Sequence, residues 1–514
     1  MAPAPSESIP EGRSSGESRP RPRPGPASLV ALAVLVPSPG DAPPPCPTFR
    51  ASVEADARDH VAYLADDALE GRAVTRPGAR CAAHYLAAHF ELLGLEPAGE
   101  DGGWFQSFPV RVGSRIEGPG LLSVSGDGTP GEGPEKTPPH VFDAETWHPY
   151  GFSGDGRVEA PLVYAGAGVA RPGAGPPGAG IVEMEGRIAV VEAESPGVRG
   201  VFADPHVKAR VAQGRGAAGL LVLLPPGGPL PRVEDEIRAR VGIPVAAVQA
   251  ERGDGLRAAA RRGETALLET RVEGRVASGW NVVARLPGEA PSREGDAVVV
   301  GAHYDHLGWG GPGSRAPGVR AIHNGADDNG SGTAALLEVA EALAREGPPP
   351  ARTVLFVAFS GEERGLLGSR HFVDHPPHPL ENVAAMVNLD MVGRLRGGRV
   401  VVHGVGTAAG WAPILEAANG SGDAEPLTLQ LRPRGDGPSD HRVFHDRGVP
   451  VLHFFTGTHP DYHRPEDDAD EVNAYGIERV VGLVARLVRE VAGSAERAPP
   501  TLTSPAPPPP ERPR

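Results

Sequence analysis

The sequence predicts an α/β protein whose mostly parallel central sheet is flanked by helices and interrupted by an inserted β-rich module. Two observations carry this. From Ala297 onward, short apolar runs alternate with segments of helical periodicity, and clusters of His, Asp and Glu fall just where the apolar runs stop. Open parallel sheets collect their ligands at the carboxyl ends of the strands, so the second observation agrees with the first. With 514 residues, 39% of them hydrophobic, the chain is long enough for more than one domain.

Taken in order, residues 1–48 read as a signal-like or disordered leader. Arg13, Arg19, Arg21 and Arg23 precede an apolar run over residues 27–36, and Pro37, Ser38, Pro39 and Gly40 follow it. A run of about ten apolar residues suits a secretory signal and is too short to cross a bilayer. The expected location is therefore secreted or periplasmic, with the cytoplasm as the alternative, and no membrane span is expected. Between Phe49 and Gly99, Val53, Ala57, Val61, Leu64 and Leu69, then Ala82, Tyr85, Leu86, Phe90 and Leu93, recur at helical spacing. Two helices joined by a turn over residues 71–78 are expected. Residues 111–180 are rich in Gly and Pro and read as a strand-poor region or an all-β start.

Strand-like runs over residues 187–192, 218–223 and 243–248, with a helical stretch at 207–213, make a small β-rich module of residues 145–273. The main alternation follows: strand 298–302, helix 333–345, and strands 353–359, 384–389, 400–403 and 449–454. An amphipathic helix over 473–492 closes it. This assigns residues 49–115 and 276–495 to one discontinuous domain, and residues 498–514 to a disordered Pro-rich tail.

Charge and cysteine content narrow the chemistry. Lys and Arg number 50 against 65 Asp and Glu, a net charge of −15, so no broad basic face exists for a polyanion and nucleic acid is not expected as a partner. Cys46 and Cys81 permit one optional bridge and no thiolate metal site. Any metal chemistry must use imidazoles and carboxylates.

Five segments supply those groups at strand ends or in the loops beyond them. They are Gly301-Ala302-His303-Tyr304-Asp305-His306, then Gly325-Ala326-Asp327-Asp328-Asn329-Gly330-Ser331-Gly332 at the mouth of a helix. Ser360-Gly361-Glu362-Glu363, Asn388-Leu389-Asp390 and Asp461-Tyr462-His463-Arg464-Pro465-Glu466-Asp467 complete the set. This mixture suits Zn²⁺, and one bridging carboxylate would allow two ions about 3.5–4 Å apart.

In order and in placement the five segments resemble the co-catalytic zinc aminopeptidases of peptidase clan MH. The relatives include leucyl aminopeptidases, aminopeptidase Y and glutamate carboxypeptidase, and the similarity runs over residues 50–495. The resemblance implies a zinc-exopeptidase, phosphorylase/hydrolase-like fold, peptide substrates and two Zn²⁺, with Mn²⁺ or Co²⁺ as substitutes. Carried over residue by residue, it makes His303 and Asp390 ligands of one ion, Glu363 and His463 ligands of the other, and Asp327 the bridge. Glu362 becomes the general base acting on a metal-activated water. Asp305 would accept the second ring N–H of His303, and Tyr462 would polarise the scissile carbonyl. Asp328 and Asn329 are expected to cap and shape the helix entrance. His306, His323, His371, His441, His445, His453 and His459 are left as structural or pocket residues.

The implied activity is removal of amino-terminal residues. Carboxypeptidase or dipeptidase action, glutaminyl cyclisation on the same fold, and a non-catalytic receptor-like role remain as alternatives. Arg394, Arg432, Arg434 and Arg442 lie near the relevant loops as candidates for a carboxylate clamp. The 145–273 module resembles a protease-associated domain that partly covers the cleft.

Overall fold

The structure is a computed structural model that describes residues 46–125, 140–169, 182–234, 237–290, 295–311, 313–422 and 425–493. Most of the expected leader, and the expected Pro-rich tail, lie outside these residues. Among them, nine strands form one sheet and eight another. No described helix is long and apolar enough to cross a membrane.

The first sheet is built around the strand Ala297–His303, every residue of which is buried. It pairs in parallel with Thr353–Phe359 on one side and Val383–Leu389 on the other, and Val451–Phe455 continues the parallel set. Strands buried on both faces read as unbroken apolar runs, which is why these four were visible in the sequence. The flanking pairs are antiparallel, Val272–Leu286 against Thr353–Phe359 and Arg399–His403 against Val451–Phe455, and Thr428–Arg432 adds a parallel outer strand to Arg399–His403. The sheet is thus mixed, with a parallel centre. Helices Gly332–Arg345 and Ala474–Gly493 cover one face and bury Leu336, Val339, Ile477, Val484 and Leu487 in its core.

Of the two expectations for residues 111–180, the strand-poor one is corrected and the all-β start agrees with the strands found there. Phe105–Ile116 and Val272–Leu286 pair as a long antiparallel ribbon, and Leu121–Val124 and Gly156–Tyr164 flank Thr265–Thr270 in the second sheet. Gly and Pro misled because Gly113 sits at a register shift and Pro109 lies within a strand that pairs on one side only, where a missing N–H is tolerated. The second sheet takes in residues from Leu121 onward, earlier than position 145. Its parallel set, Gly156–Tyr164, Ile188–Glu192, Gly219–Leu223 and Val245–Val248, packs two apolar cores, one on each face. The strand Thr428–Arg432 and the helices Leu367–Asp374 and Trp411–Gly420 had no distinct signal in the sequence.

The two expected amino-terminal helices are Ala57–Leu64, capped by a reciprocal Asp56–Asp59 box, and Pro77–Leu92. Cys46 and Cys81 form a disulfide that ties the start of the described chain to the second helix. On the first helix, buried His60 makes a 2.7 Å hydrogen bond to the Tyr85 hydroxyl, and its Nε2 lies 3.5 Å from Glu338.

Burial, with His89 close by, pushes His60 down to about 3, and burial with neighbouring acids raises Glu338 to about 7. The two act oppositely on stability. Folding with a neutral His60 is favoured above its unfolded value near 6.5 and loses that advantage as pH falls. A Glu338 carboxyl that prefers its proton favours folding below about 4.5 and costs stability as pH rises through 7. Each proton contributes at most about 1.4 kcal/mol per pH unit. Glu338→Gln is therefore expected to gain melting temperature over the parent as pH rises from 5 to 8. A gain independent of pH would show that Glu338 titrates normally.

Candidate metal centre

The parallel centre of the first sheet brings four strand ends to one edge. His303 closes its strand, and Thr333 holds its carbonyl with a 2.7 Å hydrogen bond from the first turn of the following helix. Glu362 and Glu363 follow Thr353–Phe359, Asp390 follows Val383–Leu389, and His459 to His463 lie in the loop after Val451–Phe455. The order of connections reverses at Ala297–His303, which is where an open sheet leaves a crevice.

Two groups of ligand-type atoms occupy that edge. His303, Glu362 and Asp390 have such atoms within 4.8 Å of one another, and so do His306, Asp328 and Glu363. His463 joins the second group, its Nε2 lying 3.1 Å from Asp328 and 3.3 Å from Glu363. Asp328 faces both: Oδ1 is 3.4 Å from His303 Nε2, while Oδ2 meets His463. Asp390 Oδ1 stands 3.4 Å from the same His303 nitrogen.

The aspartate that faces both groups is therefore Asp328, and the expectation that Asp327 does so is corrected. Neighbouring side chains of the irregular turn Ala326–Ser331 point in different directions, so only one of the two aspartates can face the crevice. Asp327 turns inward, accepting hydrogen bonds from the Ser331 hydroxyl at 2.8 Å and the Gly393 N–H at 2.7 Å. Its other oxygen lies 3.3 Å from His459. Asn329 shapes the helix entrance as expected, accepting from the Gly332 N–H at 2.9 Å, whereas the Asp328 side chain faces His303 and His463.

Asp305 also differs in detail. Its backbone carbonyl lies 3.2 Å from His303 Nδ1, nearer than its carboxylate at 3.8 Å, so the carbonyl fixes the ring. The carboxylate instead accepts the Glu362 N–H at 3.1 Å. Tyr462 stacks on His463 with ring centres 3.9 Å apart, and Arg315 lies over its ring at 4.5 Å.

Three contributors have no role at the centre assigned from the sequence. His306, a structural or pocket residue on the sequence reading, sits 2.7 Å from Glu363, and its place three residues beyond His303 is the signal that could find it. Arg72, wholly buried, donates to the carbonyls of Tyr304, Leu64, Asn324 and Gly325. It thereby joins the loop after His303 to the loop before Asp328, and nothing in its neighbourhood announced that. Asp467 accepts the backbone N–H groups of Asp327 and Asp328.

The electrostatics follow from burial of acids together. Burial and the nearby Glu363 raise the Asp328 carboxyl. Burial, helped by Asp440, Glu363 and Asp390 and opposed by His303, holds Glu362 well above its ordinary range. For Glu363 burial is outweighed by His306 and His463, which hold it below the usual range. Burial would lower His463, but Asp328 and Glu363 raise it to about 10.

Such imidazoles would carry protons only for want of another cation. Asp390 Oδ1 and Glu363 Oε1 are buried with no aligned hydrogen bond. Buried acceptors beside neutral imidazoles are the donor set of a divalent ion of the zinc type. His463 and Met391, beside or among these groups, hold left-handed backbones at φ 59° and 54°. Non-glycine residues in that region cost energy and cluster at functional sites.

Of the other histidines, His441 and His453 stack with ring centres 4.3 Å apart. Arg394, Arg434 and Arg442 are each engaged with carboxylates.

Residues 281–488 match the model of peptidase family M28. The chain is 29% identical over 309 residues to an aminopeptidase, YwaD, of Bacillus subtilis, covering 58% of this chain and 62% of that protein. It is 31% identical over 182 residues to leupeptin-inactivating enzyme 1 of Streptomyces exfoliatus, covering 35% and 36% respectively. The chain thus spans less than two thirds of these curated relatives. An aminopeptidase from Aneurinibacillus sp. strain AM-1 has a similar fold, at TM-score 0.50 and 21% identity over 86% of this chain and 95% of that one.

Proposed function

We infer that this chain, which belongs to peptidase family M28 through residues 281–488, is a zinc-dependent aminopeptidase that removes residues from the amino end of peptides. The observation that carries the reading is the position of Asp328, whose two oxygens face His303 on one side and His463 on the other. His303 and Asp390 would hold one Zn²⁺, Glu363 and His463 a second, and Asp328 both. Bound there, the pair would polarise the scissile carbonyl and acidify water.

The chain's own residues supply the rest. Glu362 lies beside His303 and Asp390 with its N–H held by Asp305. A carboxylate so placed takes a proton from the water that attacks the peptide carbonyl. It then delivers that proton to the departing amine as the C–N bond breaks. Tyr462, held against His463, can donate its hydroxyl to the oxygen on which charge develops. The Asp305 carbonyl keeps the His303 Nε2 directed at the crevice.

Of the four candidate clamps, Arg394, Arg434 and Arg442 already pair with carboxylates, while Arg432 meets the Gln430 side chain and is the one a carboxypeptidase would use for the substrate's carboxylate. The second sheet is read as a protease-associated-like module, and the disulfide is compatible with export to an oxidising compartment.

The test is to give the zinc-loaded protein one peptide in free, N-acetylated and C-amidated forms and follow product masses. Stepwise loss from the amino end, blocked by acetylation only, is expected. Loss blocked by amidation would move the protein to the carboxypeptidase branch.

A further inference from the structure

The loops that carry the proposed ligands converge on a single buried carboxylate outside the crevice. Asp467 is fully buried. It stands four residues beyond His463. Its Oδ1 lies 3.1 Å from the Asp327 N–H and 3.3 Å from Arg394 Nη2, and its Oδ2 lies 3.0 Å from the N–H groups of both Asp327 and Asp328. Its own backbone carbonyl accepts the Ala326 N–H at 2.9 Å.

Arg394 stands four residues beyond Asp390, is itself buried, and also meets Asp461 at 3.3 Å and Glu471 at 3.1 Å. Three ligand-bearing loops, those of Asp328, Asp390 and His463, are thus fastened at one point.

A second set of bonds ties two of these loops edge to edge. Asn329 Oδ1 accepts the Met391 N–H at 3.1 Å, Ser331 Oγ accepts the Val392 N–H at 3.0 Å, and Asp327 Oδ1 accepts the Gly393 N–H at 2.7 Å. Gly393 allows this approach, since a Cβ there would meet Asp327 Oδ1 and Ser331 Cβ, each at 2.8 Å. Asp327 is the shared member: its carboxylate holds the loop of Asp390 and its N–H is held by Asp467.

We propose that Asp467 is the positioning residue that sets the bridging carboxylate of Asp328 relative to Asp390 and His463, and so fixes the affinity and geometry of the metal centre. The inference rests on the metal-centre reading above. A carboxylate is needed because every group hydrogen-bonded to its oxygens is a donor. An amide in its place must turn its NH₂ toward a backbone N–H or toward Arg394, leaving two donors face to face. Asp467 touches neither substrate nor metal in this scheme. Partners one step removed from the ligands govern metal affinity by roughly 10–100-fold.

The test uses the full chain loaded with zinc. Zinc affinity is read by chelator competition for the parent, Asp467→Asn and Arg394→Lys. The absorption bands of the cobalt-substituted forms and the melting temperatures of the metal-free forms are recorded alongside. Asp467→Asn is expected to bind zinc roughly 10–100-fold more weakly, with shifted cobalt bands, while its metal-free form stays folded. Arg394→Lys is expected to shift both readouts in the same direction by less.

Parent-like zinc affinity in either variant would overturn the proposal. So would weakened binding with unshifted cobalt bands, which marks a general loss of stability. If Asp467→Asn does not fold, Arg394→Lys decides alone, by the same two readouts. Failure of the parent itself to bind zinc would overturn the metal-centre reading, and is distinguishable because no variant is needed to see it.

Discussion

Replacing Glu362 with Gln is expected to lower kcat by roughly 10²–10⁴-fold while zinc content stays at the parent level. The side chain lies near His303 and Asp390, so it is close enough to act on a water held between them, and also close enough to serve as a ligand itself. The two roles separate cleanly in the variant. An amide retains an oxygen donor but has no proton affinity to offer the attacking water.

A general base therefore shows as lost turnover with intact metal, and a ligand as lost metal with turnover lost in proportion. Among the protein's own groups, burial, opposed by His303 and helped by Asp440, Glu363 and Asp390, holds the Glu362 carboxyl well above its usual range. Ions bound beside it would favour the ionised form that a base needs. The readout is metal content by elemental analysis beside steady-state rates on a peptide with a free amino end. Parent-like turnover in the variant would remove Glu362 from the mechanism.

The centre of this fold was legible because its strands are buried on both faces and so declare themselves as apolar runs. His303, Glu362, Glu363, Asp390 and His463 were legible because each stands at the end of such a run or in the loop beyond it. What could not be read is side-chain direction. Asp327 and Asp328 are adjacent and identical, and only the local turn of Ala326–Ser331 decides which faces the crevice and which faces Ser331 and Gly393.

Arg72 was invisible for another reason. Its four carbonyl partners lie in three separate segments, at Leu64, Tyr304 and Asn324–Gly325. No local pattern encodes such a convergence. The ribbon of Phe105–Ile116 was hidden by composition, since its Pro109 and Gly113 carry the signals of a turn while the ladder continues past them.

The pair Asp328→Asn and Asp327→Asn tests the assignment of the bridge directly. Asp328 turns one oxygen toward His303 and the other toward His463. An amide offers one oxygen donor in place of two, so Asp328→Asn is expected to lose metal from both positions and turnover with it. The loss should exceed the roughly 10–100-fold seen when a partner outside the ligand set is changed.

Asp327 has a different task. Its Oδ1 alone accepts from Ser331 and Gly393, and an Asn can present that oxygen in the same place. What the amide gives up is the contact of Oδ2 with His459, 3.3 Å away. Asp327→Asn is therefore expected to weaken zinc by no more than that outer range and to keep measurable turnover at saturating zinc. Zinc titration of the two variants against the parent checks the order of the losses. The reverse order, with Asp327→Asn losing both ions and Asp328→Asn keeping them, would return the bridge to Asp327 and require the turn between Ala326 and Ser331 to be drawn the other way.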